Sequence, residues 1–143
     1  MIGHILVAID GSDHSRRAAL FAHDLAQQLG ARITLLTVLE PPRMLPIGFM
    51  DSAAITRPHP DPKELEYVQR LLDQVAADLP KAQVDKRVET GHAAETILAV
   101  AQKLGADLLI VGARGLGLGR QWLLGSVSER VLRHADRPVT VVH

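Results

Sequence analysis

The sequence predicts an α/β fold, a doubly wound five-stranded parallel sheet with helices on both faces. Along its 143 residues, short apolar runs alternate with segments that have helical periodicity. Apolar residues make up 47% of the chain and aromatic residues only 3%, so the core must be built from Val, Ile, Leu and Ala. That composition is typical of helices packed on a parallel sheet. The length fits a single domain, residues 1–143.

The first half of the chain predicts two strands and one helix. Residues 5–9 form a continuous apolar run that ends at a turn, residues 10–13, which offers good helix N-caps. Helix one follows and stops at Gly30, where a left-handed C-terminal cap is expected. Strand two is residues 33–39. The segment 40–63 after it holds six of the eight prolines, which predicts a long loop.

The second half continues the same alternation. Helix two has apolar residues at steps of three and four up to Pro80. Each apolar run after it is followed by a helix or ends the chain. The remaining predicted elements are strand three at 83–88, helix three at 94–104, strand four at 107–111, helix four at 126–134 and strand five at 138–142.

Composition excludes several classes of function. Sixteen basic and sixteen acidic side chains cancel, which removes the broad attraction to nucleic acid or to an anionic membrane surface. There are no cysteines, so a disulfide framework, a thiolate metal site and a Cys nucleophile are excluded. Apolar runs of about five residues are too short to span a membrane. The start lacks the features of a signal peptide, so we expect a cytoplasmic protein.

The segment 112–125 carries the most specific functional signal, with five glycines in fourteen residues ahead of a helix that opens at Ser126. Glycine allows successive backbone N–H groups to converge on an anion, and a helix N-terminus offers further free N–H groups. This pattern favours a phosphate site. A mobile loop with a capping serine is the alternative interpretation of glycine content alone.

Other catalytic and binding motifs fail. A P-loop needs a lysine before Ser126, and the dinucleotide fingerprint needs glycine where Arg120 stands. The seven histidines contain no pair at helical metal-ligand spacing. No serine elbow and no pair of carboxylates suited to acid and base catalysis is present, so rapid catalysis is not supported.

The spacing Gly112, two residues, Gly115, nine residues, Gly125-Ser126 resembles the ATP-binding signature of the universal stress protein family. The resemblance extends to the end of strand one, to strand two and to the last strand, and so covers essentially the whole chain. It implies an adenine nucleotide alpha hydrolase-like fold with strand order 3-2-1-4-5. That order reverses between strands one and four, where doubly wound sheets bind ligands, so Asp10 and Gly112 would face one crevice.

The resemblance also implies a ligand and its contacts. The ligand is ATP with Mg²⁺, for which Asp10 would supply an oxygen. The implied contacts are Ile9, Asp10 and Val38 for the adenosine, Gly112, Arg114 and Gly115 along the ribose and phosphates, Gly125, Ser126, Val127 and Ser128 at the helix N-terminus, and Val111 as a further contact with the nucleotide.

We therefore expect an ATP-binding regulatory module of the stress response. A slow ATPase or autophosphorylating enzyme is one alternative, and a dimeric interaction protein with an empty pocket is another, against which the intact glycine pattern argues. The uncharged strand Val139–Val142 would lie at a sheet edge and predicts a homodimer, unless Arg137 and strand twist protect that edge. The loop 40–63 leaves the same end of the sheet as the crevice, and its apolar residues would suit a lid.

Overall fold

The computed structural model of the chain describes residues 1–42, 59–116 and 123–143. Within these ranges one sheet has the strand order β3-β2-β1-β4-β5, and all four pairs of neighbouring strands are parallel. The predicted doubly wound topology is therefore confirmed. In chain order the elements are β1 (His4–Ala8), α1 (Asp13–Leu29), β2 (Arg32–Leu39), α2 (Pro62–Ala77), β3 (Val84–Thr90), α3 (Ala93–Leu104), β4 (Leu108–Gly112), α4 (Ser126–His134) and β5 (Val139–Val142).

Most predicted ends shift by one residue, and larger differences occur at the end of β3 and at both ends of α2. β3 runs to Thr90 because it pairs with β2 residue by residue up to Leu39. α2 begins at Pro62, earlier than its apolar pattern, because Asp61 caps it by accepting a hydrogen bond from the N–H of Lys63. It ends at Ala77, before Pro80. Residues 43–58 of the predicted loop, with the suggested lid, lie outside the described residues.

The two faces of the sheet bury two separate apolar clusters. Ile5 and Val7 of β1 belong to the cluster under α1 and α2, whereas Leu6 belongs to the cluster under α3 and α4. Helices thus cover both faces, as predicted, and the central strand is buried on both sides. In the part of the chain that the structure describes, no helix has both the length and the apolar character needed to cross a bilayer.

α1 and α3 end in the same way and lead directly into strands. Gly30 and Gly105 adopt left-handed conformations with φ of 68° and 60°, which confirms the predicted cap at Gly30. α3 has an additional cap, because Nη1 of Arg137 donates to the carbonyls of Ala101 at 2.8 Å and Ala106 at 2.6 Å. This guanidinium ties the end of α3 to the segment just before β5.

His4 is a buried polar residue at the amino end of β1. Its Nε2 lies 2.8 Å from Oγ1 of Thr34, and its Nδ1 lies 3.1 Å from Nη2 of Arg32. Because a guanidinium can only donate, Nδ1 must accept, and the ring is therefore neutral with its proton on Nε2. Burial, followed by the positive charge of Arg32, lowers the pKa of His4 below its ordinary value of 6.5.

We expect the protein to lose stability as the pH falls below 6.5, in part because of His4. Between pH 6.5 and the lower pKa of His4 in the folded protein, the unfolded chain binds a proton at His4 that the folded chain does not bind. The free energy of unfolding therefore decreases as the pH falls through this range. Urea denaturation between pH 5 and 8 measures this dependence. His4→Gln should make it shallower without abolishing it, because burial and Arg17 also lower the pKa of His14. An unchanged pH dependence in the variant would contradict the assignment.

Candidate functional site

A cleft of about 500 Å³ opens at the carboxyl ends of β1 and β4. Its size is within the range of small-molecule sites. The structure brings every residue that the sequence assigned to the site into the lining of this cleft, although contact of these residues with a ligand remains a prediction. They are Ile9, Asp10, Val38, Val111, Gly112, Arg114, Gly115, Gly125, Ser126, Val127 and Ser128.

The cleft exists because the chain leaves two neighbouring strands in opposite directions. β1 and β4 are paired, with Val7 opposite Ile110. The chain continues from β1 into α1 on one face of the sheet, and from β4 towards α4 on the other face. The space between the diverging connections is the crevice expected at a reversal of strand order.

Two glycines of the signature lie in close contact with residues that follow β1. A Cβ atom on Gly112 would lie 2.8 Å from the carbonyl carbon and Cβ of His14 and from the backbone nitrogen of Ser15, so the end of β4 fits against the start of α1 only without a side chain. A Cβ atom on Gly115 would lie 2.5 Å from Oδ2 of Asp10. The glycine-rich segment therefore runs directly beside the end of β1.

The carboxylate of Asp10 is held in a defined orientation. Its Oδ1 accepts hydrogen bonds from the N–H of Ser12 at 2.9 Å and from the hydroxyl of Ser12 at 2.5 Å. The same hydroxyl oxygen accepts from the N–H of Ser15 and caps α1. With Oδ1 engaged in this way, Oδ2 is the oxygen that approaches Gly115.

The start of α4 differs from the starts of the other described helices. Side chains accept hydrogen bonds from first-turn N–H groups in α1, α2 and α3, the acceptors being Ser12, Asp61 and Glu40. The N-cap of α4 is Gly125, which has no side chain, and Ser126 lies inside the helix instead of capping it. Ser126 and Val127 line the cleft. Their N–H groups are thus placed where an anion would compensate the positive end of the helix dipole.

Ser128 has an internal role besides lining the cleft. It is buried, and its hydroxyl donates to the carbonyl of Gly112 at 2.5 Å. The N–H of Gly125 also donates to the carbonyl of Ala113 at 2.7 Å. These two bonds join the two ends of the glycine-rich segment. What Ser128 can still donate to a ligand is its backbone N–H.

The end of the cleft beside the carboxyl end of β2 is apolar. The backbone N–H and C=O of Val38 face the cleft there. The N–H of Ile9 donates to the carbonyl of Leu36 at 2.8 Å, so the backbone groups of Leu36 face β1. Because successive strand residues direct these groups to alternate neighbours, those of Val38 face the same way. β1 has ended at Ala8, so among the described residues no strand pairs with Val38 on this side. One N–H and one C=O therefore face the cleft.

Sequence reasoning missed the contribution of α3. Ala93 and Ile97 close the apolar end of the cleft together with Leu36. The predicted strand order could have found them, because it places the first turn of the helix after β3 at the same edge of the sheet. Leu116 and Leu123, which are 73% and 65% exposed, line the mouth.

The glycine-rich segment is described only in part, because Gly117, Gly119 and Arg120 lie outside the described residues. Arg114 lines the cleft, and its carbonyl lies 3.3 Å from the Ser12 hydroxyl. Among residues 1–42, 59–116 and 123–143, no group of three or more His, Asp or Glu side chains is placed to hold a metal ion.

Comparison with known proteins gives a consistent family. Residues 1–143 match the model of the universal stress protein family. The chain is 36% identical over 143 residues to a Thermus aquaticus protein named "Universal stress protein in QAH/OAS sulfhydrylase 3'region", covering 99% of both. It is similar in structure to universal stress protein UspA from Lactobacillus plantarum, with a TM-score of 0.79, 24% identity and coverage of 99% and 98%. A universal stress protein in complex with cAMP has a TM-score of 0.70, 26% identity and coverage of 99% and 97%.

Proposed function

Because the chain belongs to the universal stress protein family, we propose that it binds ATP with Mg²⁺ in the cleft between β1 and β4 and works as a cytoplasmic regulatory module of the stress response. One observation carries the proposal. A single cleft joins a helix start at Ser126 that no described side chain caps, a carboxylate at Asp10 and an apolar end beside Val38. These three features suit the phosphates, the metal ion and the base of one nucleotide.

The phosphate end is supported by the start of α4. Free N–H groups and the positive end of the helix dipole favour an anion there. Gly115 and Gly125 add backbone without side chains beside the same helix end, so a phosphate can approach the amides closely. Arg114 adds a positive charge to the lining.

The base end is supported by the apolar walls and by the backbone of Val38. Adenine presents a donor and an acceptor side by side on its Watson–Crick edge, which complement one C=O and one N–H. Leu36 and Ile97 provide apolar surface for the faces of the ring. The related structure in complex with cAMP supports an adenine nucleotide for this fold.

The residues present fit Mg²⁺ as an ion shared with the nucleotide. Magnesium commonly takes one or two carboxylates together with phosphate and water oxygens. Asp10 is a carboxylate in the lining, and its Oδ2 approaches the glycine-rich segment. When bound, the ion would neutralise phosphate charge beside this carboxylate.

A regulatory role is favoured over efficient catalysis by the ionisable groups of the cleft. In the described part of the lining these are the Asp10 carboxylate and the Arg114 guanidinium. Efficient proton transfer from an attacking water normally needs a positioned base within hydrogen-bond reach, and the one carboxylate of this pair is the group proposed to hold Mg²⁺. Slow ATP hydrolysis or autophosphorylation remains the alternative, and single-turnover hydrolysis at high protein concentration distinguishes the two.

Calorimetric titration of nucleotide-free protein tests the proposal. We expect ATP to bind in the presence of Mg²⁺ and to bind more weakly in EDTA. Adenosine and inorganic tripolyphosphate should each bind more weakly than ATP, because each fills only one end of the cleft. Absence of both heat and thermal stabilisation at millimolar MgATP would refute ATP binding.

We further propose that two chains pair through β5. This strand is bonded to β4 on one side, and its four residues are partly exposed and uncharged. The opposite edge, β3, carries Asp85, Lys86, Arg87 and Glu89, which discourage pairing. The Arg137 side chain is engaged at the end of α3, which favours pairing over the protected-edge alternative. A monomeric mass by light scattering at micromolar concentration would contradict this.

A further inference from the structure

The first turn of α3 is fastened by a side chain from a distant segment. Oε1 of Glu40 accepts a hydrogen bond from the N–H of Ala93 at 2.9 Å, across 53 residues of sequence. His92 occupies the N-cap position of α3 but makes no capping bond with its side chain. A carboxylate that follows β2 therefore caps this helix, where its negative charge also complements the helix dipole.

A backbone bond lies next to this contact. The N–H of Gly91, at the end of β3, donates to the carbonyl of Leu39 at 3.0 Å. Leu39 and Glu40 are thus bonded to Gly91 and Ala93 by two hydrogen bonds in a row. Together these bonds fix the distance between the end of β2 and the start of α3.

The same two segments form the walls of the apolar end of the cleft. Val38 lies two residues before Glu40, and Ala93 and Ile97 belong to the first turns of α3. Glu40 itself is outside the cleft lining. It therefore acts on the cleft only through the two walls that it joins.

We propose that Glu40 is a positioning residue that sets the width of the base-binding end of the cleft. This inference rests on the proposed ATP binding. Without the carboxylate, the first turn of α3 loses its cap and spends less time at the spacing that holds a base. The apparent Kd for a base-containing ligand then rises by the reciprocal of the competent fraction. The phosphate end, built on α4 and the glycine-rich segment, keeps all its bonds.

Paired titrations of Glu40→Ala with ATP and with inorganic tripolyphosphate test this inference. We expect the Kd for ATP to rise by up to about fivefold, the full effect of losing one helix cap, and the Kd for tripolyphosphate to stay unchanged. Glu40→Gln keeps an acceptor oxygen and should recover most of the ATP affinity. Hydrogen exchange in the first turn of α3 should be faster in nucleotide-free Glu40→Ala than in the unaltered protein.

Asp61→Ala is the matched control, because it removes the cap of α2 at the N–H of Lys63. It should lower stability by a similar amount and leave the ratio of the two Kd values unchanged. An equal loss of affinity for ATP and for tripolyphosphate in Glu40→Ala, or no loss of affinity for either, would overturn the proposed role of Glu40. Neither result would contradict the proposed ATP binding. If the unaltered protein binds no ATP, the proposed function and the role of Glu40 both fail.

Discussion

Replacing Gly112 by alanine is expected to destabilise the protein by about 2–3 kcal/mol, the upper part of the usual cost of forcing an extra methyl group into a packed interior. The new Cβ atom would lie 2.8 Å from two carbon atoms of His14 and from the backbone nitrogen of Ser15. Two of these are backbone atoms of α1, so relief requires the helix to move away from β4. Urea denaturation at neutral pH measures the effect.

The control for this substitution is Gly3→Ala. A Cβ atom there would lie 3.8 Å from Oδ2 of Asp107, an ordinary contact distance. The change should therefore stay within about 0.5 kcal/mol of the unaltered protein. Equal stabilities for the two variants would show that the end of β4 is not packed against α1 as described.

Gly115→Trp is expected to weaken ATP binding by about two orders of magnitude or more while the fold is retained. The residue is exposed at the cleft, and a side chain there must start beside Oδ2 of Asp10. An indole at this position occupies space that the ribose and phosphates need, and a loss of about 2.7 kcal/mol already gives a hundredfold effect. Calorimetric titration with MgATP and circular dichroism measure affinity and fold.

Tyr67→Trp provides the matched control for an added indole. Tyr67 is 65% exposed on α2 and lies outside the cleft lining, so ATP affinity should not change. Undiminished ATP binding by Gly115→Trp would place the nucleotide elsewhere on the protein. Loss of the fold in Gly115→Trp would show that the segment beside Asp10 contributes to the core.

The two glycine substitutions separate what the sequence could predict from what it could not. Five glycines in fourteen residues predict that the backbone closely approaches another group of the protein or a ligand. The spacing of the glycines does not identify that group. At Gly112 the neighbour is α1, and at Gly115 it is the Asp10 carboxylate. Both contacts join residues about a hundred positions apart, and they depend on the strand order that brings β1 beside β4.

The topology was predictable because local patterns and the family resemblance agree. Apolar runs such as residues 5–9 coincide with central strands, and Gly30 ends a helix as its left-handed conformation allows. Element ends were less predictable where partners decide them. The extension of β3 to Thr90 depends on pairing with β2, and its first residue, Glu89, is of a type depleted in strands.

The part of the site that the sequence did not reveal is the part that comes from α3. The contact between Glu40 and Ala93 joins a glutamate after a strand to a helix 53 residues later, and no local pattern marks it. For Ser128, the sequence suggested a contact with phosphate because the residue lies at the start of a helix. In the structure its hydroxyl donates to the carbonyl of Gly112, a bond that the sequence did not reveal.

The hydrogen bonds from Ser128 to Gly112 and from Gly125 to Ala113 also affect how far the connection between β4 and α4 can vary in length. They close the base of the connection between β4 and α4, so its two anchor points are fixed independently of the chain between them. The entropic cost of lengthening such a closed connection grows only with the logarithm of its length. Insertions between residues 116 and 124 are therefore expected to cost little stability and to leave the start of α4 in the cleft lining with Asp10.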